Sequence, residues 1–508
     1  MSVGFMLRRI AEVKGEKEGI IFEDTRLKYG EFNARVNRLA NAIQDMGIKK
    51  GDRAAVLLFN CSQFMEIYFA MAKLGIILVT LNYRLHGKEL QFILDDSTPS
   101  ILFLGEEFYD TIGLIRHSLH YIQHYVILGE MKPIDMLHYE TVLMKFPSNE
   151  PLVEVNINDE QLIIYTSGTT GYPKGALITH SNTLFTCINQ ILFYRDLKDT
   201  DSTLIVAPLY HCGAQNDFTT PILQLGGKLV IMKRAEPEKV VETIQKERIT
   251  TALLLPTLLH MVFQLPNLDD YDLSSLRYVQ TGGAPLPEIT INNFFKRMSY
   301  HISDAFGLTE GTALTTILGQ KDAYQKKGSV GKPFFYVDVK IVNDNDEEVA
   351  VGEVGELIQK GPTVMKGYWN NSKGTEEIKK NGWLHTGDLA RYDEEGFIYI
   401  VDRKKDMIIS GEENIYPAEI EKVLYSHPKI QEVAIIGIPD KKWGESVKAI
   451  VVCKAGERLT SEEVIDFVKG KLASYKKPKY VEFIDQLPRN PSMKVLKGEL
   501  RKKYGKPC

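Results

Sequence analysis

The 508-residue chain is 44% hydrophobic and 25% charged, with a formal charge of −4, the profile of an ordinary globular protein. That balance gives no electrostatic reason to expect nucleic acid or an anionic membrane as a partner. At about 100–200 residues per domain the length exceeds one core and asks for several packed units.

The five cysteines (Cys61, Cys187, Cys212, Cys453 and Cys508) form no CxxC pair. This speaks against a disulfide framework and a zinc site and fits a reducing compartment. The first residues, MSVGFMLRRIAEVKGEKEG, lack the unbroken apolar core of a secretory signal. The most apolar stretch, Ala70 to Tyr83, is interrupted by Lys73 and too short to span a bilayer. A cytoplasmic protein without a membrane span is expected.

In chain order, Val36, Leu39, Ala40 and Ile43 mark one face of a helix that Gly47 would end. A strand is expected over Ala54 to Phe59, a helix over Phe64 to Leu74, and a strand over Gly75 to Thr80. This βαβα rhythm implies a parallel sheet covered by helices. Strands recur at Ser202 to Ala207, Gly227 to Met232, Ile249 to Leu255 and Leu276 to Gln280. Short strands with Gly and Asp turns follow at Val337 to Val342, Gly355 to Gln359 and Phe397 to Val401. Past the charged run Asp402-Arg403-Lys404-Lys405-Asp406, Pro417 suits the first turn of a helix bearing Ile420, Val423 and Leu424. Strands over Glu432 to Ile438 and Ala449 to Cys453 come next, and Thr460 with Glu463 reads as a capping box. The expected architecture is therefore α/β. A large N-terminal domain, 1–402, holds parallel-sheet subdomains and a β-rich subdomain from about residue 330. A hinge, 403–406, leads to a mobile α+β lid, 407–508.

The chemistry-bearing signal is Tyr165-Thr-Ser-Gly-Thr-Thr-Gly-Tyr-Pro-Lys-Gly175, set between two strand-like runs. Backbone N–H groups and hydroxyls in such a turn can surround phosphate oxygens, and Lys174 adds a point charge. Because Lys174 follows Pro173 and no helix starts directly after it, this is not a Walker A loop.

The string resembles the phosphate loop of the adenylate-forming superfamily, which comprises acyl-CoA synthetases, nonribosomal adenylation domains and beetle-type luciferases. The resemblance runs over nearly the whole chain in family order. It continues through Pro208-Leu-Tyr-His-Cys212, Thr281-Gly-Gly-Ala-Pro285 and Asp304-Ala-Phe-Gly-Leu-Thr-Glu310. Beyond these stand Gly328-Ser-Val-Gly-Lys-Pro333, Trp383-Leu-His-Thr-Gly-Asp388, the Asp402–Asp406 run, Ser410-Gly-Glu-Glu-Asn-Ile-Tyr-Pro417 and Pro488-Arg-Asn-Pro-Ser-Met-Lys494.

The resemblance implies an acid–thiol ligase that uses ATP, Mg²⁺ and coenzyme A. Its first step joins a carboxylate to the α-phosphorus of ATP and expels pyrophosphate, so charge on the phosphates must be neutralised. On that resemblance Thr166, Ser167, Gly168, Thr169, Thr170, Gly171 and Lys174 hold phosphates. Phe306 offers adenine an aromatic face, with Gly283, Ala284 and Pro285 opposite and Asp304, Ala305 and Gly307 beside it. Thr309 donates near the α-phosphate, and Glu310 ligates Mg²⁺. Asp388 and Arg403 take the ribose, and Lys494 is the catalytic cation. His211 walls the acyl pocket and gates the thiol. Lys405 is the hinge residue, and Ser410, Gly411 and Glu412 lie on the loop offered to CoA.

Two positions depart from the family pattern: Glu412 and Met493 stand where glycine is usual. Glu412 bears on the CoA step more than on adenylation. Transfer of the acyl group to an amine or a carrier thiol, and a non-catalytic nucleotide-binding regulator, are the competing readings. With no arginine assigned to a second carboxylate, a medium- or long-chain fatty acid is the expected substrate and an aryl acid the alternative. A homodimer is an arrangement left open.

Overall fold

The computed structural model describes residues 2–166, 173–284, 286, 288–411, 413–489 and 494–506. The helical pattern around Val36 belongs to a helix at Tyr29–Asp45, whose buried Phe32, Val36, Leu39, Ala40 and Ile43 fall on one face. Gly47 follows it at φ 80, a left-handed conformation that glycine adopts without a Cβ penalty. In the next helix, Ser62–Leu74, every residue but Gln63 is buried. Gly75, expected to open a strand, instead caps this helix at φ 65, and the strand is Ile77–Thr80. A left-handed residue cannot continue an extended ladder, which accounts for the shift.

The chain packs into two units, 1–339 with 359–384, and 340–358 with 385–508. The β-rich segment that the sequence reading kept with the first 402 residues is thus divided in packing. Segments 340–358 and 385–402 group with the C-terminal part.

The first unit holds two large sheets among the described residues. Among the described residues, the first has nine strands. Six parallel strands run in the order Ser303–Phe306, Tyr278–Gly282, Thr251–Leu253, Ser202–Ile205, Lys228–Ile231 and Glu18–Phe22, and antiparallel strands close both edges. The second sheet has eight strands among the described residues. It centres on Arg53–Leu57, flanked by Ile77–Thr80 and Ile101–Gly105. The largest apolar cluster joins residues of both sheets, such as Ile20, Leu229, Val56 and Ile164, through Phe64, Ile67 and Phe69 of the buried helix.

Each sheet contains a reversal. Ser202–Ile205 is followed by Lys228–Ile231 on one side, and the next strand, Thr251–Leu253, pairs on its other side. Arg53–Leu57 stands in the same relation to Ile77–Thr80 and Ile101–Gly105. Open α/β sheets present ligand crevices beyond the carboxyl ends of strands at such reversals.

In the second unit, Ile430–Asp440 and Gly444–Cys453 form a long antiparallel pair. Ile408–Ser410 and Tyr480–Phe483 each pair with Gly444–Cys453. The expected helix is Pro417–Tyr425, with proline in its first turn. The capping box is present, Thr460 accepting from Glu463 N–H at the start of Ser461–Val468. Among the described residues, no helix is long and apolar enough to cross a membrane.

Candidate active site

Strands Glu160–Thr166 and Lys174–Thr179 form an antiparallel hairpin in which Thr166 and Lys174 are direct partners. Its tip, with the expected Ser167, Gly168, Thr169, Thr170 and Gly171, lies outside the described residues, as do Pro285, Glu412 and Met493. The neck is well defined. Strand Gly367–Tyr368 pairs antiparallel with Lys174–Thr179 and brings Tyr368 beside the hairpin, its ring 5.2 Å from Lys174 Nζ.

Glu310 lies in the short turn Thr309–Gly311. Its Oε1 accepts from the Tyr368 hydroxyl at 2.7 Å and from Thr166 Oγ1 at 3.3 Å, while its carbonyl accepts from Met365 N–H at 2.8 Å. Burial, with the Glu310 charge adding to it, pushes the Tyr368 phenol well above its ordinary pKa, so it stays a donor. Thr166, Lys174, Glu310 and Tyr368 therefore converge from three separate chain segments. Tyr368 was not anticipated, and its only sequence signal is a Gly-Tyr-Trp run outside the motifs.

The turn leaves no room for side chains at two places. A Cβ on Gly307 would lie 1.7 Å from Ala313 O, and one on Gly311 would lie 2.1 Å from Gln359 Nε2. Thr312 and Ala313 also adopt positive φ, 56 and 79, so the segment bearing Thr309 and Glu310 has a strained backbone. Phe306 ends strand Ser303–Phe306 next to Tyr278–Gly282, with Gly282 opposite Ala305 and Thr281 opposite Asp304. Gly283 follows at φ 79 with open space where a Cβ would stand. Burial raises the Asp304 carboxyl to about 7, against the lowering effect of Ala305 N–H.

His211 sits in a turn fixed by both reversals. From one crevice, Asn60 Nδ2 donates to Ala207 O at 3.0 Å and its Oδ1 accepts from Leu209 N–H at 2.8 Å. From the same sheet, Thr80 Oγ1 donates to Tyr210 O at 2.9 Å. The Tyr210 ring lies between His211, tilted against it with centroids 4.3 Å apart, and Tyr83, which it meets edge to face at 5.0 Å. Burial pushes the Cys212 thiol up to about 12, which removes it as a nucleophile. Deeper in, Asp217 is buried and pushed up to about 7 by desolvation, with Gln280 and Gln190 lowering it.

In the second unit, Asp388 and Arg403 face each other on paired strands, Arg403 Nε lying 3.2 Å from Asp388 Oδ1. The arginine side chain is 47% exposed and the aspartate 8%, so the pair contributes little stability and leaves guanidinium surface for another partner. Lys405 belongs to the short turn Lys404–Asp406, and burial, then the nearby Arg403 charge, holds it below the ordinary lysine range. The turn is anchored at both ends: Lys404 Nζ reaches Glu356 at 3.1 Å, and Asp406 pairs with Arg501 at 2.8 Å. Asp402 Oδ2 accepts from Ala418 N–H at 2.8 Å at the start of helix Pro417–Tyr425. Ser410 pairs with Glu413, and Gly411 turns at φ 68 with the Trp443 ring 3.2 Å from where a Cβ would stand. Lys494 is exposed.

Among the described residues no three His, Cys, Asp or Glu side chains converge as a metal cage. Glu310 fits the other arrangement available to Mg²⁺, one carboxylate with the remaining oxygens supplied by phosphate and water.

The AMP-binding enzyme family matches residues 7–369, and its C-terminal domain matches residues 419–494. A feruloyl-CoA synthase of Amycolatopsis sp is 38% identical over 481 residues, covering 95% of this chain and 94% of the relative. A long-chain-fatty-acid–CoA ligase, FadD13, of Mycobacterium tuberculosis is 36% identical, covering 99% and 98%. The solved o-succinylbenzoate coenzyme A synthetase of Bacillus subtilis with ATP and magnesium superposes with a TM-score of 0.87 at 31% identity, covering 98% of this chain and 99% of that one. The chain belongs to the AMP-binding enzyme family, within the adenylate-forming superfamily. It is an AMP-forming acid–thiol ligase.

Proposed function

We propose that the chain converts a carboxylic acid to its CoA thioester in two half-reactions at one nucleotide site. A carboxylate oxygen attacks the α-phosphorus of ATP, the bond to the bridging oxygen breaks, and pyrophosphate leaves with the electron pair. The thiolate sulfur of CoA then attacks the acyl carbon, the carbon–oxygen bond to AMP breaks, and the thiol proton passes to solvent. The observation that carries this reading is the Glu310 carboxylate, oriented by Tyr368 and Thr166 beside Lys174.

In this reading Lys174 and the hairpin hold the distal phosphates, and Thr309 donates to the α-phosphate. Glu310 would hold Mg²⁺, whose charge would offset that of the transferring phosphoryl group. Phe306 and Gly283–Ala284 flank the adenine, and Asp304, Ala305 and Gly307 support that wall. Asp388, kept in place by Arg403, accepts from the ribose hydroxyls. Lys494 places an ammonium on the oxygen that gains charge in the first transition state, an interaction stronger there than in the ground state. His211 and Tyr210 border the path of the thiol. The sequence boundaries 1–402, 403–406 and 407–508 are retained as functional segments, with Lys405 as the residue whose backbone turns between the half-reactions and the 410–414 loop serving the second.

The acid is taken to be monocarboxylic. Relatives named for an aryl acid and for a fatty acid match this chain to nearly the same degree, so they support the organic-acid class and not the fatty acid over the aryl acid. The reading is tested by acid-dependent release of pyrophosphate from ATP, with and without CoA. Acyl-AMP should accumulate without CoA and be consumed on its addition. Pyrophosphate release that ignores the acid, or none with any acid, would defeat it.

A further inference from the structure

Asp96 stands in the last turn of helix Gly87–Ser97, half-buried, and the two half-reactions give it no task. Its Oδ2 accepts from the Tyr165 hydroxyl. Its carbonyl accepts from Trp369 Nε1 and from Asn370 Nδ2, both at 3.1 Å. Burial, then the bond to Asp96 and its charge, push the Tyr165 phenol well above its ordinary pKa, so it remains a donor. Arg53 braces the same helix end, donating to Ser97 O and Thr98 O at 2.9 Å each, and lies 5.7 Å from the Trp369 ring.

These partners form one face of the phosphate-loop hairpin. Tyr165 pairs with Gly175, and its ring lies across that glycine. A Cβ at Gly175 would stand 3.0 Å from Tyr165 Cζ and 2.7 Å from Ile163 Cγ2. Trp369 donates its backbone N–H to Gly175 O at 2.8 Å. Successive strand residues face opposite ways, so the residues next in line turn to the other face. Thr166 and Tyr368 are two donors to Glu310, and Lys174 is the direct partner of Thr166. Asp96 thus holds the rear of the hairpin whose front carries Thr166 and Lys174.

We propose that Asp96 is a positioning residue for adenylation: by holding Tyr165 it fixes the strand ends from which Thr166 and Lys174 face Glu310. This rests on the acid-activation reading above and extends it to the support behind the hairpin. A misplacement of about 1 Å in such a support can cost on the order of 10² in rate.

The experiment compares the two half-reactions on one preparation by rapid quench. Asp96→Ala removes the carboxylate–phenol bond but leaves the carbonyl that holds Trp369 and Asn370. Tyr165→Phe removes the same bond from the other side. Acyl-AMP carries neither β- nor γ-phosphate, so its conversion to thioester makes no call on Lys174. In both variants kcat/KM for ATP in adenylate formation should fall about tenfold or more, with thioester formation from supplied acyl-AMP within about twofold of wild type. The ratio of the two rates is insensitive to the fraction folded, so a merely structural role would not move it. Asp96→Asn keeps an oxygen for the phenol in a weaker, neutral bond and should restore adenylation to within about threefold of wild type. The double variant Asp96→Ala/Tyr165→Phe should lose no more than either single one, because both break one bond. An unchanged ratio in the single variants, no recovery in Asp96→Asn, or an additive loss in the double variant would overturn the inference and leave acid activation standing. No pyrophosphate release by the wild type with any acid would defeat the acid-activation reading, and this inference with it.

Discussion

The hydroxyl of Tyr368 donates to Glu310 Oε1 across 2.7 Å, joining residues 58 positions apart in the chain. Both ends of that bond are set by backbone pairing. Tyr368 is held opposite Ala176 on the hairpin, and the Glu310 carbonyl is tied to Met365 N–H. The carboxylate therefore has a fixed direction at the neck of the phosphate-loop hairpin.

Tyr368→Phe tests whether that direction matters. The phenyl ring keeps its packing, but Glu310 loses a donor worth about 1.4 kcal/mol. The rate of acyl-adenylate formation should fall about tenfold and the Mg²⁺ concentration for half-maximal rate should rise. Pyrophosphate release across a magnesium titration checks both, and an unchanged magnesium curve would deny Glu310 its part in metal binding.

Lys494→Ala removes the proposed transition-state cation from an exposed position. Adenylate formation should drop by about 10² or more, the scale for loss of one aligned electrostatic donor, with the thermal midpoint within a few degrees of wild type. Thioester formation from supplied acyl-AMP should be much less affected. Rapid-quench assays of the two half-reactions separate these outcomes, and wild-type adenylation in the variant would remove the chemistry assigned to the C-terminal unit.

Lys405→Pro fixes φ at the centre of the anchored Lys404–Asp406 turn. Adenylation should survive while thioester formation falls at least tenfold. Equal loss of both half-reactions would count against a hinge at this residue.

His180 supplies a pH prediction. It is fully buried, its Nδ1 accepts from Val3 N–H at 3.3 Å, and desolvation lowers its pKa to about 4 despite the nearby Asp159 charge. The unfolded chain binds this proton at about 6.5, so the group's stabilising effect is present above that pH. It is lost as pH falls toward 4, by about 1 kcal/mol per pH unit. His180→Asn should flatten the acid side of the stability–pH curve between pH 6.5 and 4, measured by denaturant midpoints at each pH. A curve identical to wild type would show that His180 is not a source of acid sensitivity.

Much of the fold was legible from short-range pattern. Helical periodicity located Tyr29–Asp45, an apolar run located Ser62–Leu74, the Thr460–Glu463 capping box was present, and Pro417 opened its helix. Strand ends were less legible, as Gly75 illustrates. A glycine that ends a helix and one that starts a strand look alike until φ is known. Which strand belongs to which of the two sheets was not legible either, because strands of both sheets are short apolar runs and only pairing tells them apart.

At the site, the sequence by itself determined which chemical groups are present, because motif residues such as Thr166, Lys174, Glu310, Asp388, Arg403 and Lys494 carry their functional atoms wherever the chain puts them. Only the tertiary structure decided that Tyr368 orients Glu310 and that Asn60 and Thr80 fix the turn of His211. Those relations depend on strand pairing and on the volume left between side chains. Both are properties of long-range packing, which no local run of residues encodes.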